Sequence, residues 1–194
     1  MWIHKRLTAW MVAWLVAGLL LAATAMAQAE SVTQNGESFS RTVEENGQRY
    51  ELLGSGVFKY MIWTAYAGAY YQGEGVTDPQ PLSEVPRRLE LAYFHAIDAE
   101  DFAEATLETI QKNLTLYEFN QVKDDIEALN DRYRDVEPGD RYVLSWDGEQ
   151  LRLALNGEVL FEGGDADVAS AMFGIWLGET PLGEDFRDEL LARQ

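Results

Sequence analysis

Four Asx-Gly dipeptides constrain this chain more than any other feature: Asn35-Gly36, Asn46-Gly47, Asp147-Gly148 and Asn156-Gly157. Asparagine and aspartate tolerate the left-handed backbone and glycine enters it freely, so such pairs close tight hairpins whose central residues need positive φ. The first two lie in Ser31 to Leu53, a polar stretch with alternating apolar positions. The last two divide Asp140 to Gly163 into three short strand runs. The chain therefore opens and continues with antiparallel strands, and the late set is a meander.

Between these sets lies Gly54 to Tyr71, with a single charge, Lys59. Ala65, Ala67 and Ala69 alternate with Tyr66, Gly68 and Tyr70, a period of two that predicts one strand with faces of unequal bulk and a packed layer on the small face. Gly54 and Gly56 mark a bulge or a close backbone approach, because glycine otherwise weakens a strand. Gln72 to Pro86 reads as a loop. Arg88 to His95 alternates again, with Leu89, Leu91, Tyr93 and His95 on one face and Glu90, Ala92 and Phe94 on the other.

Helical periodicity follows. Asp98 opens a helix of about fifteen residues whose apolar face carries Phe102, Ala105, Thr106, Thr109 and Ile110. Thr115 with Glu118 forms a capping box for a second helix, with Leu116, Phe119, Val122, Ile126, Leu129 and Tyr133 on one side. Asp165 or Asp167 caps a third, ended by Gly178, and Pro181 starts a fourth with Phe186 and Leu190 inward. Strands early and late with helices between and after them predict an α+β fold, a large antiparallel sheet covered on one face by a layer of helices.

Residues 1–27 combine a basic start (Lys5, Arg6), an apolar run from Leu7 to Ala23 and the site Ala25-Met26-Ala27, with Ala27-Gln28-Ala29 as a second candidate, the anatomy of a secretory signal peptide; an uncleaved anchor is the alternative. The expected organisation is a signal peptide at 1–27 and one domain at 28–194, placed in the periplasm or secreted, without stable membrane insertion after cleavage. The absence of cysteine excludes thiol chemistry and structural bridges. A net charge of −18 with no basic cluster argues against nucleic acid. His95 is the only histidine beyond the leader, which leaves no basis for a metal site, and Asp101, Glu104 and Glu108 read as a solvated helix face.

Taken in order, Gly54-x-Gly56 with its aromatic-rich continuation, Arg88 to Asp98 running into a helix, Pro138-Gly139-Asp140, Asn156-Gly157 and Phe173 to Gly178 followed by Pro181 resemble the chalcone isomerase-like family over about Val32 to Leu191. The resemblance implies an open-faced sandwich with a ligand cleft between sheet and helices. Catalytic members use an arginine after the Gly-x-Gly, with a threonine, a tyrosine and an asparagine. Those positions fall on Phe58, Tyr66, Phe102 and Thr109, and a further hydroxyl position falls on Ile175. An aromatic ring cannot supply the charge stabilisation of an arginine. Lys59 points to the opposite face of the strand.

These replacements make chalcone isomerase-type activity an unexpected outcome and imply no cofactor. The reading is a noncatalytic exported protein whose cleft, lined by Phe58, Tyr66, Phe102, Thr109, Ile175 and Trp176, binds an apolar ligand such as a fatty acid. A filled core with no ligand is compatible with the same residues. The alternatives are an isomerase or lyase using Tyr66 as acid on a phenolic or enone substrate, or an interaction module for an envelope partner. Oligomeric state is left open.

Overall fold

The computed structural model describes residues 31–80 and 82–193; the signal peptide expected at 1–27 lies outside them. Asn35, Asn46 and Asn156 take φ of 48°, 50° and 52°, each followed by a glycine of positive φ. They close the turns between β1 (Ser31–Gln34) and β2 (Glu37–Ser40), β3 (Thr42–Glu45) and β4 (Gln48–Tyr60), and β8 (Leu151–Leu155) and β9 (Glu158–Gly163). Asp147-Gly148 begins a longer loop between β7 (Arg141–Trp146) and β8, where the Asp147 carboxylate accepts from the backbone N–H groups of Glu149 (2.9 Å) and Gln150 (2.8 Å).

The stretch expected to be one strand is a hairpin. β4 runs to Tyr60 and β5 (Trp63–Gly73) returns antiparallel, with Tyr60 paired to Trp63. Only Met61 and Ile62 form the turn. From Lys59 to Thr64 the sequence offers no glycine, proline, asparagine or aspartate, so nothing in its chemistry announces a reversal; Met61 takes φ 54°, a region its residue type ordinarily avoids. A register shift between Leu52 and Gly54 supplies the expected bulge.

With β6 (Arg87–Tyr93), seven strands form one sheet in the order β3-β4-β5-β6-β7-β8-β9, every neighbour antiparallel; β1 and β2 pair separately. Helices α1 (Ala99–Asn113) and α2 (Leu116–Asn130) are inserted between β6 and β7, and α3 (Ala166–Leu177) and α4 (Glu184–Leu190) follow β9. The Thr115 and Glu118 capping box forms on α2 and the Asp165 cap on α3. Three local expectations need correction. The Asp98 side chain caps nothing, and Asp135 Oδ1 instead accepts from Ala99 N at 2.8 Å. Leu116, in the first turn of α2, is exposed. Pro181 precedes α4 rather than starting it, with Gly183 at the N-cap.

Strand alternation sorts the sheet into two faces. Tyr66, Tyr70, Leu89, Leu91, Tyr93 and Leu144 face the helices. Ala67, Ala69, Tyr71 and Ala92 face the other way, against Phe39 of β2 and Tyr50. The layer on the small face is thus the N-terminal hairpin. Arg141 fastens it, with its guanidinium 4.6 Å over the Phe39 ring and paired to Glu37 (3.1 Å) and to Glu90 (2.8 Å).

Candidate functional site

Where β4 to β8 meet α1 and α3, the side chains do not close up and leave a cavity of about 630 Å³. The β4–β5 hairpin supplies Phe58 and Tyr66, stacked with ring centroids 4.8 Å apart. The aromatic wall continues through Tyr93, 5.4 Å from Tyr66, then Phe102 of α1 at 5.5 Å, then Tyr133 stacked on Phe102 at 5.4 Å. Ile175 and Trp176 of α3 close the opposite side. The rim carries exposed groups: Trp63 with His95 edge-on to it at 5.4 Å, Asp101, Glu108 and Leu182.

Of the residues singled out from sequence, Phe58, Tyr66, Phe102, Ile175 and Trp176 border this space. Thr109 does not. It is buried in α1 beside the cavity-facing stripe of Phe102, Ala105 and Thr106. Lys59 is also outside the lining, as strand alternation requires. Sequence reasoning passed over Tyr93, Tyr133 and Tyr142 as site residues. Tyr93 had already been placed on the same strand face as Leu89 and Leu91. The positions of Tyr133 and Tyr142 depend on how β7 docks, which no local pattern encodes.

Four phenol hydroxyls give the apolar space its polar character. Trp176 Nε1 donates to the Tyr66 hydroxyl at 3.0 Å. Thr106 Oγ1 and the Tyr133 hydroxyl lie 3.1 Å apart, with either able to donate. Tyr142 is fully engaged, accepting from Arg134 N (2.8 Å) and donating to Arg134 O (2.9 Å). The Tyr93 hydroxyl makes no hydrogen bond among the described residues and is not sealed within the packed core, and Tyr93 lines the cavity.

Burial pushes the phenols of Tyr66 and Tyr93 well above the usual tyrosine range, and the neighbouring phenols push Tyr93 further in the same direction. Tyr133 is pushed up to about 12, also by burial. All three are neutral donors at ordinary pH. Among the described residues no group of three or more His, Cys, Asp or Glu side chains is arranged to hold a metal ion, and no helix is long and apolar enough to cross a membrane. Chemically, the arrangement can enclose an apolar body and offer hydroxyl donors to one end of it.

The crystal structure of a fatty-acid binding protein from Arabidopsis thaliana superposes with a TM-score of 0.65 at 16% identity, covering 84% of this chain and 96% of the other. At that identity the match carries the fold alone. No curated protein sequence matches the chain. The sequence profile of the chalcone isomerase-like family matches residues 29–192, nearly the whole chain. The turns, the sheet, the helical layer and this profile agree: the chain belongs to the chalcone isomerase-like family.

Proposed function

We propose that this protein is a noncatalytic, exported carrier or receptor for an apolar small molecule, held between the sheet and α1 and α3. The observation that supports it is the cavity itself. Its volume of about 630 Å³ falls within the roughly 300–1,000 Å³ typical of small-molecule sites, and its walls are aromatic and aliphatic with few polar groups. A core meant to be filled would reach crystal-like density instead. The fold is shared with a protein whose crystal structure is titled as fatty-acid binding, which makes a lipid-like ligand the natural class to test.

The noncatalytic part rests on what surrounds Tyr66. Its hydroxyl is held by Trp176 and its phenol is pushed upward by burial, the opposite of an acid tuned to work near neutrality. The exported part rests on the basic and apolar leader with its Ala25-Met26-Ala27 site.

Native mass spectrometry of protein purified from its own host tests the reading. A stoichiometric adduct of lipid mass, on a chain beginning near Gln28, is the expected result. A bare protein that also fails to take up the neutral dye Nile red would overturn the ligand reading. Recovery of the full-length chain from membranes would overturn export. Enantioselective cyclisation of a simple chalcone above the buffer rate would overturn the noncatalytic assignment.

A further inference from the structure

The charge inventory of the cavity narrows the ligand class. Among the described residues, no lysine or arginine lines it. The acidic groups that do are Asp101 and Glu108, both on the rim, in a chain of net charge −18. An anion entering would pass two carboxylates and lose its hydration in an apolar space, without a cation to replace it.

The tyrosines report the same condition from inside. Other phenols lie near arginines that partly offset the effect of burial: Arg87 at Tyr70, Arg88 and Arg141 at Tyr71, and Arg134 at Tyr142, whose hydroxyl is already spent on the Arg134 backbone. No cation offsets it at Tyr66 or Tyr93. A site that resists turning its own phenols into anions resists a carboxylate for the same physical reason.

Two donors remain unspent there. Tyr66 accepts from Trp176, which leaves its own proton without an acceptor among the described residues, and the Tyr93 hydroxyl has no hydrogen-bond partner among them. Their rings lie 5.4 Å apart on adjacent strands and border the same cavity.

We propose, building on the apolar-ligand reading above, that the cavity takes an uncharged lipid-like molecule with a single oxygen head group, an alcohol, a carbonyl compound or a protonated acid, and rejects the ionised carboxylate. The Tyr66 and Tyr93 hydroxyls donate to that oxygen, and the chain of the ligand lies along Phe58, Phe102, Ile175 and Trp176. A free fatty acid is bound here as the acid and not as the salt.

The experiment is displacement of Nile red by oleyl alcohol and by oleic acid, which share one hydrocarbon chain, at several pH values from about 6 to about 8.5, above the usual carboxyl range of roughly 4–5. The alcohol should displace with the same affinity throughout. Apparent affinity for the acid should fall by close to tenfold per pH unit, because only the protonated fraction binds. The titratable groups of the protein that line the cavity are the phenols of Tyr60, Tyr66, Tyr93, Tyr133 and Tyr142, with Asp101, Glu108 and His95. His95→Gln is carried through both titrations as a control at the rim, and the slope for the acid should persist.

Tyr93→Phe keeps the ring and removes a hydroxyl that makes no protein hydrogen bond, so it should fold normally. It should weaken the alcohol by roughly three- to tenfold and leave 1-octadecene, which has no head group, unchanged. Oleate affinity that is flat with pH and equal to that of the alcohol would overturn the proposal while leaving the apolar-ligand reading intact. Alcohol affinity unaffected by both Tyr93→Phe and Tyr66→Phe would overturn the head-group assignment. Failure of Nile red and of both chains to bind would overturn the cavity reading, and this proposal with it.

Discussion

The two ends of the β4–β5 hairpin meet the helical layer in opposite ways. At the glycine end α4 lies directly on the strands: a Cβ on Gly54 would run into the backbone of Glu189 and Leu190, one on Gly56 into the Glu189 side chain, and one on Gly68 into the Phe186 ring at 2.7 Å. Glu189 completes the seal by accepting from Val57 N at 2.9 Å. At the aromatic end, beyond Phe58 and Tyr66, α1 stands off and the cavity opens. Small residues let helix and sheet touch, whereas large rings facing one another hold them apart. The glycines hold the layer in place and the tyrosines keep it hollow.

The largest expected effect asks whether the hollow end is dry. Seven of the nine tyrosines, Tyr50, Tyr66, Tyr70, Tyr71, Tyr93, Tyr133 and Tyr142, have phenols raised mainly by burial. In the unfolded chain they ionise near pH 10. The unfolded state then binds fewer protons than the folded one, so stability is intact below about pH 10 and falls as pH rises toward the folded values, by about 1 kcal/mol per phenol per pH unit. Tyrosinate absorbance and circular dichroism should change together in one alkaline transition. Ionisation of the cavity phenols ahead of unfolding would show that water enters freely.

Next come paired phenylalanine deletions. Phe186 is packed on Gly68 and 3% exposed, so Phe186→Ala should cost about 3–5 kcal/mol by denaturant titration. Phe102 borders empty space on one side and is only partly buried. Phe102→Ala should cost about 1–2 kcal/mol and change Nile red binding. Equal costs would erase the distinction between the ends. Gly54→Val belongs with the sealed end and should destabilise by about 3 kcal/mol, since only backbone is there to yield.

Much of this comparison was legible in sequence. Gly54 and Gly56 announced a close approach, the alternation of Ala67 and Ala69 with Tyr66 and Tyr70 gave the two faces, and five of the six candidate residues border one cavity. The hairpin tip was not legible, because Met61 and Ile62 turn without turn residues and the reversal is imposed by pairing on either side. Thr109 was misplaced relative to the cavity because a helix face is wider than the stripe that borders the space. The hydroxyl cluster escaped because it joins Tyr66 and Tyr93, paired across β5 and β6, with Tyr133 after α2 and Tyr142 on β7, residues that only the long-range pairing of the sheet and the packing of the helical insertion bring together.

The smallest predicted effect concerns the rim. Asn113, at the end of α1, donates to Thr109 O and Thr180 O and accepts from Thr180 N, holding the loop that places Leu182 at the cavity edge. Asn113→Ala should cost about 1 kcal/mol in stability. Its clearer sign should be faster Nile red release in stopped-flow, with equilibrium affinity little changed.

Because strand order follows chain order, most sheet neighbours are joined by tight turns; residues 74–86 loop between β5 and β6, and by far the longest connection, residues 94–140 between β6 and β7, carries α1 and α2. The sheet therefore consists of two locally closable halves, β3 to β6 and β7 to β9, and closing the long loop between them is the entropically expensive step of folding. The cavity is shared across that seam, with Leu89 and Tyr93 on one side and Tyr142 and Leu144 on the other. A ligand consequently finds no site until the halves have joined. It cannot template folding, and its whole contribution to stability is a slower unfolding rate, set by its concentration relative to its dissociation constant.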